Sequence, residues 1–108
     1  MKKNIYSDIP TRLPDELVEV ISGNPDLRIK RIVSRGHRSP DGFWYDQEEN
    51  EFVLLVTGEA ELFFEEDDEC VQMEAGDYLV IPAHKRHRVT WTAPGRDSVW
   101  LVVYFSRQ

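Results

Sequence analysis

The sequence predicts an all-β domain, an antiparallel barrel or sandwich preceded by one short helix. Seven runs rich in β-branched and aromatic residues succeed one another between positions 27 and 105. Clusters of Gly, Pro, Asn and Asp punctuate them. The chain has 108 residues, 41% hydrophobic and 31% charged, a size for one core, with no repeat, linker or low-complexity segment.

The first element is read as a helix over residues 13–23. Pro14 in its first turn, Asp15 and Glu16 near the positive dipole end and Gly23 past the last turn are start and stop signals. Leu13, Leu17, Val20 and Ile21 share one helical face, so the helix is expected to pack on a sheet as scaffold. Strands follow over 27–34, 51–57, 60–65, 70–73, 78–81, 86–92 and 98–105. Pro40-Asp41-Gly42, Thr57-Gly58, Ala75-Gly76-Asp77 and Pro94-Gly95 mark turns. The runs 52–56 and 100–105 are apolar throughout, as expected of strands covered on both faces. The predicted organisation is an extension over 1–26 that carries the helix and a β-barrel over 27–108.

Net charge is −7, which argues against nucleic acid and membrane surfaces as partners, because neutralising phosphates takes clustered Lys and Arg. Residues 39–84 hold fourteen acids and no Lys or Arg, so that block carries −14 and the remainder +7. Arg28, Lys30, Arg31, Arg35 and Arg38 precede it, which predicts opposite charges on neighbouring strands, worth a few tenths of a kcal/mol each. The single cysteine, Cys70, forms no intramolecular disulfide, and the acids at 65–69 disfavour its thiolate. No run approaches the roughly 18 apolar residues of a membrane span. The start, Met1-Lys2-Lys3-Asn4-Ile5, has no apolar segment behind its lysines. A cytoplasmic, unprocessed protein is the expectation.

Two spacings resemble the motifs of a known family. Glu51 is followed by six residues and Gly58; Gly76 is followed by five residues and Pro82, then by His84 and His87. In this the chain resembles the cupins, with His84 in the place of a motif glycine and Trp91 in the place of an asparagine. The resemblance spans about residues 28 to 105 and implies a double-stranded β-helix, a small jelly-roll barrel. The segments 42–51 and 81–91 also look like those of small bacterial single-domain cupins, the cupin 2-like conserved barrels.

The resemblance implies a metal-holding interior, and here the sequence departs from it. The family's first motif has two histidines ahead of its glutamate; in this chain those places fall on Trp44 and Asp46 or, in the neighbouring register, on Tyr45 and Gln47. The ligand set left for one divalent metal (Fe, Mn, Ni or Zn) is Asp46, Glu51 and His87, with Gln47 as the alternative to Asp46. One imidazole and two carboxylates are a chemically acceptable set.

The residues themselves support an interior site. Glu51 opens an apolar strand, where an inward carboxylate needs a partner. His87, Val89 and Trp91 alternate onto one apolar face, which puts an imidazole inside. Trp44, Tyr45, Gln47 and Trp91 are the expected ligand-binding residues, an apolar wall with a few polar groups. Trp44 is expected to close one side of the cavity, and Trp100 and Tyr104 serve equally as core or lining. His84 and His37 are read as surface residues.

Three functional readings stay open. One is a small-ligand-binding barrel with a reduced metal-ligand set; another is a metal-dependent dioxygenase, isomerase or lyase. The third is a metal-free acid/base enzyme using His87 and Glu51. A small molecule is the expected partner, and an open sheet edge gives a motive for a homodimer.

Overall fold

The computed structural model describes residues 1–106, and among these described residues there are eight antiparallel strands and no helix. The last two positions of the predicted 27–108 barrel lie outside the described residues. The strands are β1 (Leu17–Asn24), β2 (Leu27–Ser34), β3 (Asn50–Thr57), β4 (Glu59–Phe64), β5 (Glu69–Glu74), β6 (Tyr78–Ile81), β7 (His87–Thr92) and β8 (Ser98–Phe105). They form a five-stranded sheet in the order β1-β2-β8-β3-β6 and a three-stranded sheet in the order β5-β4-β7. Among the described residues no helix is long and apolar enough to cross a membrane.

The helix predicted over 13–23 is not formed: residues 13–16 have no regular secondary structure and 17–23 belong to the strand β1. Its apolar spacing fits a helical face, but Val18, Val20 and Ile21 are β-branched and lose rotamer freedom in a helix. β2 offers a complete ladder instead: Leu17 pairs with Val33, Glu19 with Arg31 and Gly23 with Arg28. The register shifts between Val20 and Ser22, so Ile21 is the extra residue of a bulge. The glycine read as a helix stop lies beside a hairpin turn, where Asn24 Oδ1 accepts from the amides of Asp26 at 2.8 Å and Leu27 at 3.1 Å. Tertiary pairing outweighs the local capping signals.

Inward side chains from both sheets build the core: Val53, Leu55, Ala60, Leu62, Phe64, Met73, Ile81, Trp100, Val102 and Tyr104. β3 buries Glu51, Val53 and Leu55 and leaves Phe52 and Leu54 half-buried. The runs expected to be covered twice are therefore covered once, and the outer face of the wide sheet stays partly open. Its rows are Ile29-Val103-Phe52-Val80 and Arg31-Leu101-Leu54-Tyr78. The ion pairs of β2 differ from the expected pairing with a strand of the acidic block: Arg28 reaches Glu49, ahead of β3, at 2.5 Å, and Arg31 is paired with Glu19 of β1, outside that block.

Candidate functional site

Strand alternation turns Glu51 inward at the head of β3, in one cross-strand row with Tyr104 and Ile81. Glu51 is 6% exposed and His87, at the start of β7, is 4% exposed. The two meet at 3.5 Å, Nε2 to Oε1. His87 Nδ1 lies 2.8 Å from the Lys85 carbonyl; a carbonyl can only accept, so Nδ1 carries a proton and Nε2 faces the carboxylate. At this separation the imidazole and the carboxylate are in polar contact, the two side-chain types most used in acid/base chemistry. Gln47 Nε2 donates to the same Oε1 at 2.6 Å.

The segment before β3 is clasped to β7. Tyr45 N–H donates to the His87 carbonyl at 2.7 Å, and His87 N–H donates back to the Tyr45 carbonyl at 3.2 Å. The Tyr45 ring thereby stacks on His87, centroids 5.3 Å apart and planes 21° from parallel, while Phe64 lies 5.7 Å away. The rings restrict the imidazole's rotation. The cavity beside this pair has a volume of about 40 Å³, and its wall includes Glu16, Ile32, Tyr45, Glu51, His87, Trp100 and Tyr104. A vestibule of about 240 Å³, lined by Asp15, Glu16, His37, Arg38, Ser39, Pro40, Tyr45 and Val89, adjoins it and shares Glu16, Tyr45 and Val89 with it. Burial, then Glu16 and Glu51, push the Tyr45 phenol up to about 12. Burial first, and Glu51 next, also raise Tyr104.

Of the residues expected to form the site, Glu51, His87, Gln47 and Tyr45 are brought together. Asp46 is not among them: the strand-like run 45–47 sends it the opposite way from its neighbours, and its Oδ1 pairs with His84 Nδ1 at 2.8 Å near the surface. Trp44 does not close the cavity. Its ring packs 5.9 Å from Phe63, under the guanidinium groups of Arg86 at 5.1 Å and Arg88 at 5.9 Å. Trp91 is 41% exposed. The β4–β7 register passes from Leu62↔Val89 to Glu61↔Trp91, so Thr90 is an extra residue and the alternation that points His87 inward is reversed by Trp91.

Sequence reasoning missed Glu16. Reading it as a helix residue hid it, and the signal for it was only the β-branched run that follows. Trp100 and Tyr104, left between core and lining, do both: they are buried and border the cavity.

A divalent metal needs more donors than this interior offers. Glu51 and His87 face each other, Asp46 is turned to His84, and Gln47 spends its amide on Glu51. Among the described residues no group of three His, Cys, Asp or Glu side chains is placed to hold an ion. Protein sites for zinc and related metals take three or four ligands, so the residues present do not fit a resident metal.

The family model described as Cupin domain matches residues 33–104. A candidate mannose-6-phosphate isomerase from Ralstonia eutropha JMP134 has a similar structure, with a TM-score of 0.94 and 41% identity over 99% of each chain. A cupin superfamily protein from Desulfitobacterium hafniense DCB-2 has a TM-score of 0.75 at 20% identity, covering 92% of this chain and 84% of that one. A polyketide cyclase from Streptomyces resistomycificus has a TM-score of 0.71 at 16% identity, covering 87% of this chain and 67% of that one. The last two likenesses concern the fold alone. No curated protein matches the chain.

Proposed function

The chain belongs to the cupin family, and from that premise we propose that it binds a small polar ligand in the barrel, gripped and, where the ligand has a labile proton, proton-exchanged by Glu51 and His87. The supporting observation is the buried carboxylate–imidazole contact at 3.5 Å on the cavity wall. A buried pair of this kind is costly to maintain and suits a group that must give and take a proton. The cavity of about 40 Å³ has room for a few waters or the polar end of a ligand. The remainder of the ligand would lie in the vestibule between Tyr45 and the Asp15-Glu16 wall.

The test is ligand-detected NMR on a panel of polyols, small carboxylates and sugar phosphates. His87→Ala is expected to abolish binding while the circular dichroism spectrum is retained. Unchanged binding in that variant overturns the site assignment.

The 41% identical relative described as a candidate mannose-6-phosphate isomerase favours a second reading, an isomerase. Sugar isomerisation is a proton-transfer reaction, within reach of an imidazole and a carboxylate. Its test is turnover of mannose 6-phosphate and loss of that turnover in Glu51→Gln. For association we propose a homodimer through the open face or edge of the wide sheet, where Tyr78 and Val80 are 67% and 55% exposed. Sedimentation that shows only monomer at tens of micromolar removes it.

A further inference from the structure

Residues 1–16 have no regular secondary structure, yet they are fastened along their length by side chains of β2 and the loop after it. Arg31 Nη1 donates to the carbonyls of Ile5 at 3.1 Å and Ser7 at 2.5 Å. Arg35 donates from Nη1 to Thr11 O at 2.8 Å and from Nη2 to Pro10 O at 3.2 Å. Ser34 Oγ donates to Glu16 Oε2 at 2.7 Å. This strap supplies Asp15 and Glu16 to the vestibule, and Glu16 to the inner cavity as well.

The remaining fastening is His37, and both of its ring nitrogens are committed to main-chain groups. The Arg35 N–H lies 2.9 Å from Nδ1. An amide N–H can only donate, so Nδ1 must be a bare acceptor. Nε2 lies 3.0 Å from the Pro14 carbonyl, which can only accept, so Nε2 must carry the hydrogen. The arrangement admits one tautomer of the neutral ring. A second proton would sit on Nδ1, directed at the Arg35 N–H.

We infer that His37 is a positioning residue for Glu16: a latch that holds the strap against the cavity mouth only while its imidazole is neutral. When the ring takes a second proton in acid, the Nδ1–H faces the Arg35 N–H, so the Arg35–His37 bond is lost and the ring is pushed from the position in which Nε2 meets Pro14. Glu16, two residues on, is then left with the Ser34 hydroxyl as its fastening at the mouth. The charged and titratable groups around the ring do not cancel this. Arg35 and Arg38 flank it on its own loop, Asp15 and Glu16 share the vestibule wall with it, and Tyr45 faces them. Asp97 is spent on Arg35 at 2.7 Å and Arg88 on the Ser39 carbonyl at 3.0 Å. None occupies the Nδ1 side, where the amide sits. The significance of the latch for ligand entry rests on the cavity being the binding site; the latch itself does not.

Arg12, exposed in the middle of the strap, makes the test direct. The full chain is digested briefly with trypsin between about pH 5 and 8, a window in which imidazoles titrate and ordinary carboxylates do not. Cleavage after Arg12 is measured against cleavage after Lys3, so that the protease's own pH dependence cancels. The ratio in the wild-type protein is expected to rise on the order of tenfold towards the acid end, the effect of one lost hydrogen bond. His37→Gln, which can accept from Arg35 and donate to Pro14 without titrating, should show a flat profile at the neutral wild-type level. His37→Ala should be cut fast at every pH. The same acid rise in His37→Gln, or a flat wild-type profile, overturns the latch. Because no ligand enters this measurement, the latch and the proposed binding site fail separately.

Discussion

Gly58 lies so close to Ser98 that a Cβ at position 58 would stand 2.3 Å from Ser98 Oγ and 2.5 Å from Ser98 Cα. Gly58 also has a φ of +97°, a conformation that side chains rarely adopt. Gly58→Ala is expected to lose about 2–4 kcal/mol of stability in chemical denaturation. Adding Ser98→Gly should leave most of that loss, because the clash includes backbone. Full recovery in the double variant would show that only the Ser98 side chain is in the way.

His84 stands at a φ of +62° in the tight turn after Pro82, where the family motif has a glycine. The turn geometry survives the replacement because the His84 side chain bonds Asp46 and its amide donates to the Gln47 carbonyl at 2.8 Å. His84→Gly should therefore stay within about 1 kcal/mol of wild type, relief of strain offsetting the lost pair. His84→Val should cost about 2 kcal/mol or more, since a β-branched residue is strained there. Equal stability of the two variants would contradict this reading of the turn.

The Glu51–His87 pair is expected to behave as one unit. His87→Ala leaves the Glu51 carboxylate buried with Gln47 as its hydrogen-bond partner and should cost about 1–3 kcal/mol. Glu51→Gln made on top of it should return roughly 1 kcal/mol by removing the uncompensated charge. Additive losses in this double-mutant cycle would mean that the two side chains are not coupled.

Tyr45, pushed up to about 12, and Tyr104, raised as well, hold their protons more tightly in the folded than in the unfolded chain. Below the unfolded tyrosine pKa, about 10, this contribution to stability is fully present. It is lost as pH rises from there through the folded values, by about 1.4 kcal/mol per pH unit for each group. Tyrosinate absorbance should lag free tyrosine until unfolding begins. Tyr45→Phe should flatten the alkaline loss; an unchanged slope would remove Tyr45 from the account.

Two facing donors predict weak metal retention. Protein purified without chelator and desalted should carry well under one equivalent of Fe, Mn, Ni or Zn by elemental analysis. A stoichiometric metal that disappears in His87→Ala would require Asp46 to leave His84 and join the set.

The strands from β2 onward were legible to within a residue or two, because period-two patterning and turn residues agree with the tertiary pairing along this stretch. Glu51 and His87 were legible from spacing and alternation together. The first element was misread because Pro14, Asp15, Glu16 and Gly23 mimic helix boundaries, and only the partner strand decides the competition. Trp91 was misassigned by one extra residue, Thr90, since a bulge leaves no mark in composition and reverses every inference drawn downstream of it. Asp46 and Gln47 could not be separated from sequence, for one step of register exchanges them. The strap's fastenings join side chains to distant carbonyls, a relationship that local pattern does not encode.

The strap lies ahead of residues 33–104, the stretch that the cupin model matches, whereas Glu51 and His87 lie within it. The proposed binding pair and the strap that the proposed latch holds thus lie in different lengths of the chain. An altered residue at positions 10–16 can change which molecules reach the imidazole, or at what acidity they reach it, without moving the imidazole. The strap's fastenings come from β2 and the loop after it, whereas Glu51 and His87 stand on β3 and β7.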